Sequence, residues 1–242
     1  MSDNIGDVGV WYNVLGGALQ IPGAKVNRAE FLAKEFGKYC NSETIARVIS
    51  EGTAVAGVEL RLMDKIAEEV VGYHTGVATG LSFAAGIPGG LAMLATVPAD
   101  IAQYYWHVIV AAQKLAYVYG LKDIALADDH FKSLLTLLIG AMYGLEDADK
   151  TITQVYSALV SQEIAALTLV KGMNKTILKI AVALAYRLTG KTVFKSVWKA
   201  IPILGGVISG GITLFTFRPM CDKLREKLHD SVKTRELKAL IS

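Results

Sequence analysis

Asp100, Gln103, Tyr104 and His107 fall at i, i+3, i+4 and i+7, which on a helix places four polar groups in one stripe of a largely apolar rod. A carboxylate and an imidazole buried on one face must each find a partner, and together they could hold a ligand or carry a proton. The stripe would also serve as the polar cluster of an enzyme acting on lipid, with Asp100, Tyr104 and His107 in it. The plainer reading makes Asp100 a helix-start acid and His107 a satisfied core histidine.

A second pattern is electrostatic. Lys171, Lys175 and Lys179, then Arg187, Lys191, Lys195 and Lys199, recur every fourth residue, and no Asp or Glu occurs between Glu163 and Asp222. Each run presents a cationic helix face, with Ile177, Leu178, Ile180, Val182, Leu184, Val193 and Phe194 opposite and Trp198 as an interfacial aromatic. That combination suits anionic lipid headgroups, although an ordinary solvated face has the same pattern. The chain has no recognition-helix motif and a net charge of only +3, which argues against nucleic acid as a partner.

Motifs for catalysis fail on inspection. Gly190-Lys191-Thr192 ends like a phosphate-binding loop, but Ala185 stands where its first glycine is needed and the context is helical. Gly80-Leu81-Ser82-Phe83-Ala84 approaches a nucleophile elbow without its last glycine or its preceding strand. The four histidines have no metal-ligand spacing. The sequence therefore predicts a non-catalytic protein with neither cofactor nor metal.

These residues must be positioned by helices. The chain shows no sustained two-residue alternation, so an all-α fold is expected. Asn27 with Glu30 predicts a helix start, running through Tyr39, and Asn41 or Ser42 restarts the chain. Further helices are expected at Thr53 to Val71, Val97 to Tyr119, Asp147 to Val170, Asn174 to Leu188, Thr192 to Lys199 and Met220 to Ile241. The last is charged, with Leu224, Leu228, Val232 and Leu237 as its apolar stripe. Pro98 suits a first helical turn and Gly120 a C-terminal cap. Val118-Tyr119-Gly120-Leu121 is echoed by Met142-Tyr143-Gly144-Leu145.

Two segments carry no charge: Val70 to Ala99, broken by Pro88, Gly89 and Gly90, and Ala200 to Phe217, with paired glycines at 205–206 and 210–211. Each reads as an apolar glycine-rich hairpin, packed in a core or inserted in one leaflet. Glycine interruptions argue against a full span, which needs about 20 continuous apolar residues. Gly72, Gly76 and Gly80, like Gly206 and Gly210, recur at four-residue spacing and predict close helix approach.

At 242 residues the chain suits one domain, with 52% apolar and 19% charged residues, shifted toward membrane contact relative to an average soluble protein. Residues 1–242 are read as a single unit with a core from about 27 to 217 and a charged helix over 218–242. The acidic start, Met1 to Asp7, predicts no leader peptide and a cytoplasmic protein. Cys40 and Cys221 are expected to stay reduced and to serve packing.

The order of these features resembles the EcsC protein family. The resemblance lies in the glycine-rich run from Gly76 to Gly90, in Pro98-Ala99-Asp100 opening a helix that ends at Tyr119-Gly120, and in the lysine-rich segment. It continues in Ile201-Pro202-Ile203-Leu204-Gly205-Gly206 leading to Gly210-Gly211. It covers roughly Asn27 to Phe217, with departures at His107 and Lys114, where such proteins often carry an arginine, and at Ile212 and Thr213, where an Asn tends to follow the glycines. It implies a bacterial protein at the cytoplasmic membrane face, associated with an ABC transporter operon, with no established catalysis. The expected function is peripheral association with the inner face of the cell membrane through anionic lipid, with an ABC transporter or another membrane protein as a further partner. A soluble adaptor and a membrane-inserting, toxin-like protein are the alternatives.

Overall fold

Asparagine side chains start two of the helices, and glycines stop two others. The computed structural model describes residues 3–80, 99–121, 128–160, 172–189 and 207–241, and these residues are all-α. The helices are α1 (Asp3–Leu19), α2 (Arg28–Phe36), α3 (Ser42–Glu51), α4 (Leu60–Gly80), α5 (Ala99–Val118), α6 (Asp128–Met142), α7 (Glu146–Val160), α8 (Asn174–Thr189) and α9 (Val207–Ile241).

Asn27 and Asn41 are the N-caps of α2 and α3, their side chains accepting from the Glu30 and Thr44 amides at 3.2 and 2.8 Å. The echoed sequences form the same C-terminal structure. Gly120 and Gly144 adopt φ of 99° and 65°, and the Leu121 and Leu145 amides reach back to the Ala116 and Gly140 carbonyls at 2.9 and 3.0 Å. This is a Schellman ending, which needs a left-handed residue that glycine supplies without steric cost.

Three expected boundaries differ. Residues 53–59 form turns, not the start of α4, because Gly52 and Gly57 take positive φ and break the helical path. The final helix does not begin at Met220; it runs without a break from Val207 through Pro219, which is exposed and forfeits one backbone hydrogen bond. Residues 3–19, to which the sequence assigns no element, form α1. The expected helix over 192–199, the end of the one predicted to reach Val170, and Pro98 lie outside the described residues.

One apolar cluster joins every described helix. It includes Trp11 and Leu15 from α1, Leu32 from α2, Ile66 from α4, Ile109 from α5, Leu135 from α6, Tyr156 from α7, Leu184 from α8 and Leu224 from α9. Its members run in sequence from Trp11 to Val232. Of the predicted stripe on the last helix, Leu224, Leu228 and Val232 are buried, whereas Leu237 is 58% exposed.

The ends of α3 and α5 meet at Arg28. Its Nη1 and Nη2 donate to the Ile49 and Val48 carbonyls at 2.6 and 3.2 Å, and its Nε donates to the Leu121 carbonyl at 3.0 Å. A cation at the first position of α2 is unfavourable for that helix alone. Here it neutralises the negative ends of two others. Beside it, Thr53 donates to the Val118 carbonyl at 2.8 Å, and a Cβ at Gly52 would lie 2.8 Å from the Gly120 oxygen.

Candidate functional site

Of the polar stripe of α5, the two described side chains, Tyr104 and His107, turn to different neighbours. The backbone of Asp100 and Gln103 is helical, and their side chains lie outside the described residues. Tyr104 turns toward α9, its hydroxyl 3.4 Å from Met220 Sδ and its ring 6.3 Å from that of Phe217. His107 turns toward α4, where its ring centre is 5.8 Å from that of His74. Tyr104 belongs with Tyr105 and Tyr143, whose hydroxyls are 2.9 Å apart. Burial raises the pKa of all three phenols, so they act as neutral hydrogen-bonding groups.

The polar cluster that does form consists of His74, His107 and Lys114. His74 is 1% exposed and His107 7%. Lys114 Nζ lies 3.1 Å from His74 Nε2 and 5.6 Å from the ring centres of both Phe31 and Tyr73. An ammonium can only donate, so His74 Nε2 accepts and the imidazole proton resides on Nδ1. Among the described residues, the Nδ1 atoms of His74 and His107 are buried and have no hydrogen-bond partner. Trp106 packs edge-on to His107 at 4.8 Å and donates to the Pro22 carbonyl at 3.1 Å, fixing the neighbouring loop.

This environment disfavours positive charge. Burial, then Lys114 and His107, drive the His74 pKa down to about 3. Burial and Lys114 also lower that of His107. Burial lowers that of Lys114, partly offset by Glu35. Among the described residues no group of three or more His, Cys, Asp or Glu side chains could hold a metal, and the adjacent ammonium would oppose one. Sequence reasoning found His107 but missed its partners. The available signal was His74, an ionisable group inside the uncharged stretch from Val70 to Ala99.

The basic residues separate into different roles. Lys175 and Lys179 point outward from α8, with Leu178 between them at 50% exposure. Arg187, expected on the same lipid-facing surface, is used internally: Nη1 donates to the Tyr143 carbonyl at 3.0 Å, and the guanidinium lies 5.2 Å from the Tyr143 ring centre. Its reach back to the α6 terminus makes it a packing residue. Lys171, Lys191, Lys195, Lys199 and Trp198 lie outside the described residues.

The glycine spacing does not mark close approach where it can be tested. Among the described residues, a Cβ at Gly72 or Gly76 would meet nothing within 4 Å, and both positions are exposed. Gly80 and Gly210 are helical, and Gly206 lies outside the described residues. The close approach is at Gly140 on α6, where a Cβ would fall 2.6 Å from Ile180 Cγ2 and 2.9 Å from Ala148 Cβ. Gly140→Ala should therefore cost about 1–3 kcal/mol from overpacking. Gly72→Ala and Gly76→Ala, at exposed helical positions, should each stabilise by about 0.5–1 kcal/mol. Urea denaturation of the three variants would check this, and equal losses at all three would contradict the packing described.

A charged network ties α9 to α4. Glu68 pairs with both Arg218 and Arg225, and Arg225 also reaches Asp222 at 3.4 Å. Burial works to raise the Glu68 pKa, but the two guanidiniums outweigh it and hold it low. Asp64 Oδ1 accepts from Tyr119 at 2.8 Å and contacts His229 Nδ1 at 2.9 Å. These contacts hold the charged helix against α4.

Among the described residues, no helix is long and apolar enough to cross a membrane. Compared with known proteins, the chain matches no family model, no curated protein and no solved structure.

Proposed function

We propose that this protein is a non-catalytic helical protein that attaches to the cytoplasmic face of a membrane by binding anionic lipid, as its resemblance to EcsC proteins implies. The observation that carries the reading is the outward face of α8. Lys175, Leu178 and Lys179 project away from a buried row of Ile177, Ile180, Ala181, Leu184 and Ala185. Neither lysine forms an ion pair with a carboxylate among the described residues. Cations around an exposed apolar side chain suit a headgroup layer, with the ammonium groups at phosphate level and the leucine below.

Each lysine near an anionic surface contributes about 1 kcal/mol. Two supply roughly a 30-fold preference for the membrane. That is too little for stable attachment by α8 alone; the other residues expected to meet lipid, Lys171, Lys191, Lys195, Lys199 and Trp198, lie outside the described residues.

Flotation with phosphatidylglycerol or phosphatidylcholine vesicles, at low and high salt, tests the reading. Binding restricted to the anionic vesicles and weakened by salt is expected. Lys175→Glu combined with Lys179→Glu should lower partitioning by at least about 30-fold, since it removes two attractive charges and adds two repulsive ones. Unchanged binding of that variant would remove α8 from the interface. A second reading uses the same face to dock an acidic surface of an ABC transporter or another membrane protein. Failure to float on any vesicle would favour it.

A further inference from the structure

We propose that His74, His107 and Lys114 form an acid-released latch between α4 and α5, and that opening it strengthens attachment to an anionic bilayer. The second half of this proposal rests on the membrane reading above.

The argument begins with the contact between His74 and Lys114. At neutral pH the imidazole accepts from the ammonium, a 3.1 Å interaction across the two helices. Protonating His74 places a second N–H on Nε2, so two cationic donors face each other and the hydrogen bond is lost. His107 lies one ring away, 5.8 Å between centres, and its protonation adds a third charge to the same buried volume.

No described group is placed to neutralise that charge. Tyr73 packs edge-on to His74 and Trp106 edge-on to His107, both uncharged. The charged groups that influence the cluster come from α2, where Glu35 and Lys34 act on Lys114 with opposite signs. Glu35 is itself paired with Lys38. On α9, Arg218 and Arg225 are paired with Glu68 and Asp222. Among the described residues, α1, α6 and α9 contribute no charge to either histidine.

The sign follows from linkage. His74 binds a proton more readily when released, near its ordinary value of 6.5, than when buried, where the value is about 3. The closed state is therefore fully favoured above about pH 6.5 and loses stability as pH falls below it. Between pH 7.5 and 5.0, His74 alone raises the open population about 30-fold, and His107 acts in the same direction. Separation would uncover apolar side chains buried on both helices, such as Val71 and Val108. From Val70 to Gly80, α4 carries no Asp, Glu, Lys or Arg, so the released half of the helix suits a lipid interface.

Hydrogen exchange of α4 and α5 amides at pH 7.5 and 5.0, corrected for intrinsic rate, reads the latch without lipid. An increase in opening of about 30-fold or more is expected in the native chain, with a smaller ratio in His74→Gln and His107→Gln. Should His74→Gln fail to fold, NMR of the His74 ring in the native chain must show it neutral at pH 5.0 in the closed state, and a ring that titrates near 6.5 without opening overturns the latch. A ratio near one in the native chain, or an undiminished ratio in the variants, overturns the latch.

Flotation on phosphatidylglycerol vesicles, whose headgroup stays ionised across this range, is measured in parallel. Stronger flotation at pH 5.0 in the native chain, blunted in His74→Gln, is the expected result. Flotation that ignores pH while exchange responds overturns the link to the bilayer. No flotation at either pH overturns the membrane reading, while the exchange ratio still decides the latch.

Discussion

Replacing Arg28 by methionine will cost the fold about 3–5 kcal/mol, because it removes three charge-assisted hydrogen bonds to buried or partly buried carbonyls at once. The hydrophobic stem is preserved in this variant, so the loss reports the guanidinium and not a cavity. The Ile49 and Leu121 carbonyls then lose this donor at the negative ends of α3 and α5, while Val48 keeps only the Gly52 amide at 3.1 Å. Against a total stability of about 5–15 kcal/mol, that is a large fraction. The melting temperature should fall by roughly 10 °C. Arg28→Lys keeps the charge but cannot span three carbonyls in a planar fork, so it should recover only part of the loss. Calorimetry of the three proteins distinguishes these outcomes; a Met variant within about 1 kcal/mol of the native chain would mean that water replaces the guanidinium at little cost.

The second large effect is expected at Trp11. Its ring is fully buried, meets Tyr105 edge-on at 5.7 Å, and donates to Thr136 Oγ1 at 2.9 Å. Trp11→Ala should cost about 3–5 kcal/mol through the cavity that it leaves. Trp11→Phe retains most of the packing and loses the hydrogen bond, so about 1 kcal/mol beyond the volume change is expected. Denaturant midpoints for the pair separate packing from polar loss. If truncation to alanine were nearly neutral, α1 would not belong to the core that α5 and α8 share with it.

That helix shows what sequence patterning overlooked. Between Asp3 and Leu19 the apolar residues and four interior glycines do not sort into a clear face, so neither periodicity nor propensity favours a helix there. Tertiary burial of Trp11, Val14 and Leu15 outweighs that weak local preference. Pro219 is the complementary case: a residue that ends most helices is tolerated within α9 because Phe217, Cys221 and Leu224 are anchored on either side of it.

The sequence alone determined the features that depend on a few neighbouring residues: the all-α class, the Asn27 and Asn41 caps, the paired glycine endings, and helix limits near those observed for α5 and α8. Caps and glycine turns are satisfied within one turn of backbone, so local chemistry suffices to read them. Only the tertiary structure decided which side chains share a partner. It divided Tyr104 from His107, brought His74 and Lys114 to the latter, turned Arg187 inward and left Lys175 and Lys179 outside. It also moved close packing from the Gly72 spacing to Gly140. A helix pattern specifies a face and not what the face will meet, and the environments of these groups arise from residues tens of positions away in the chain.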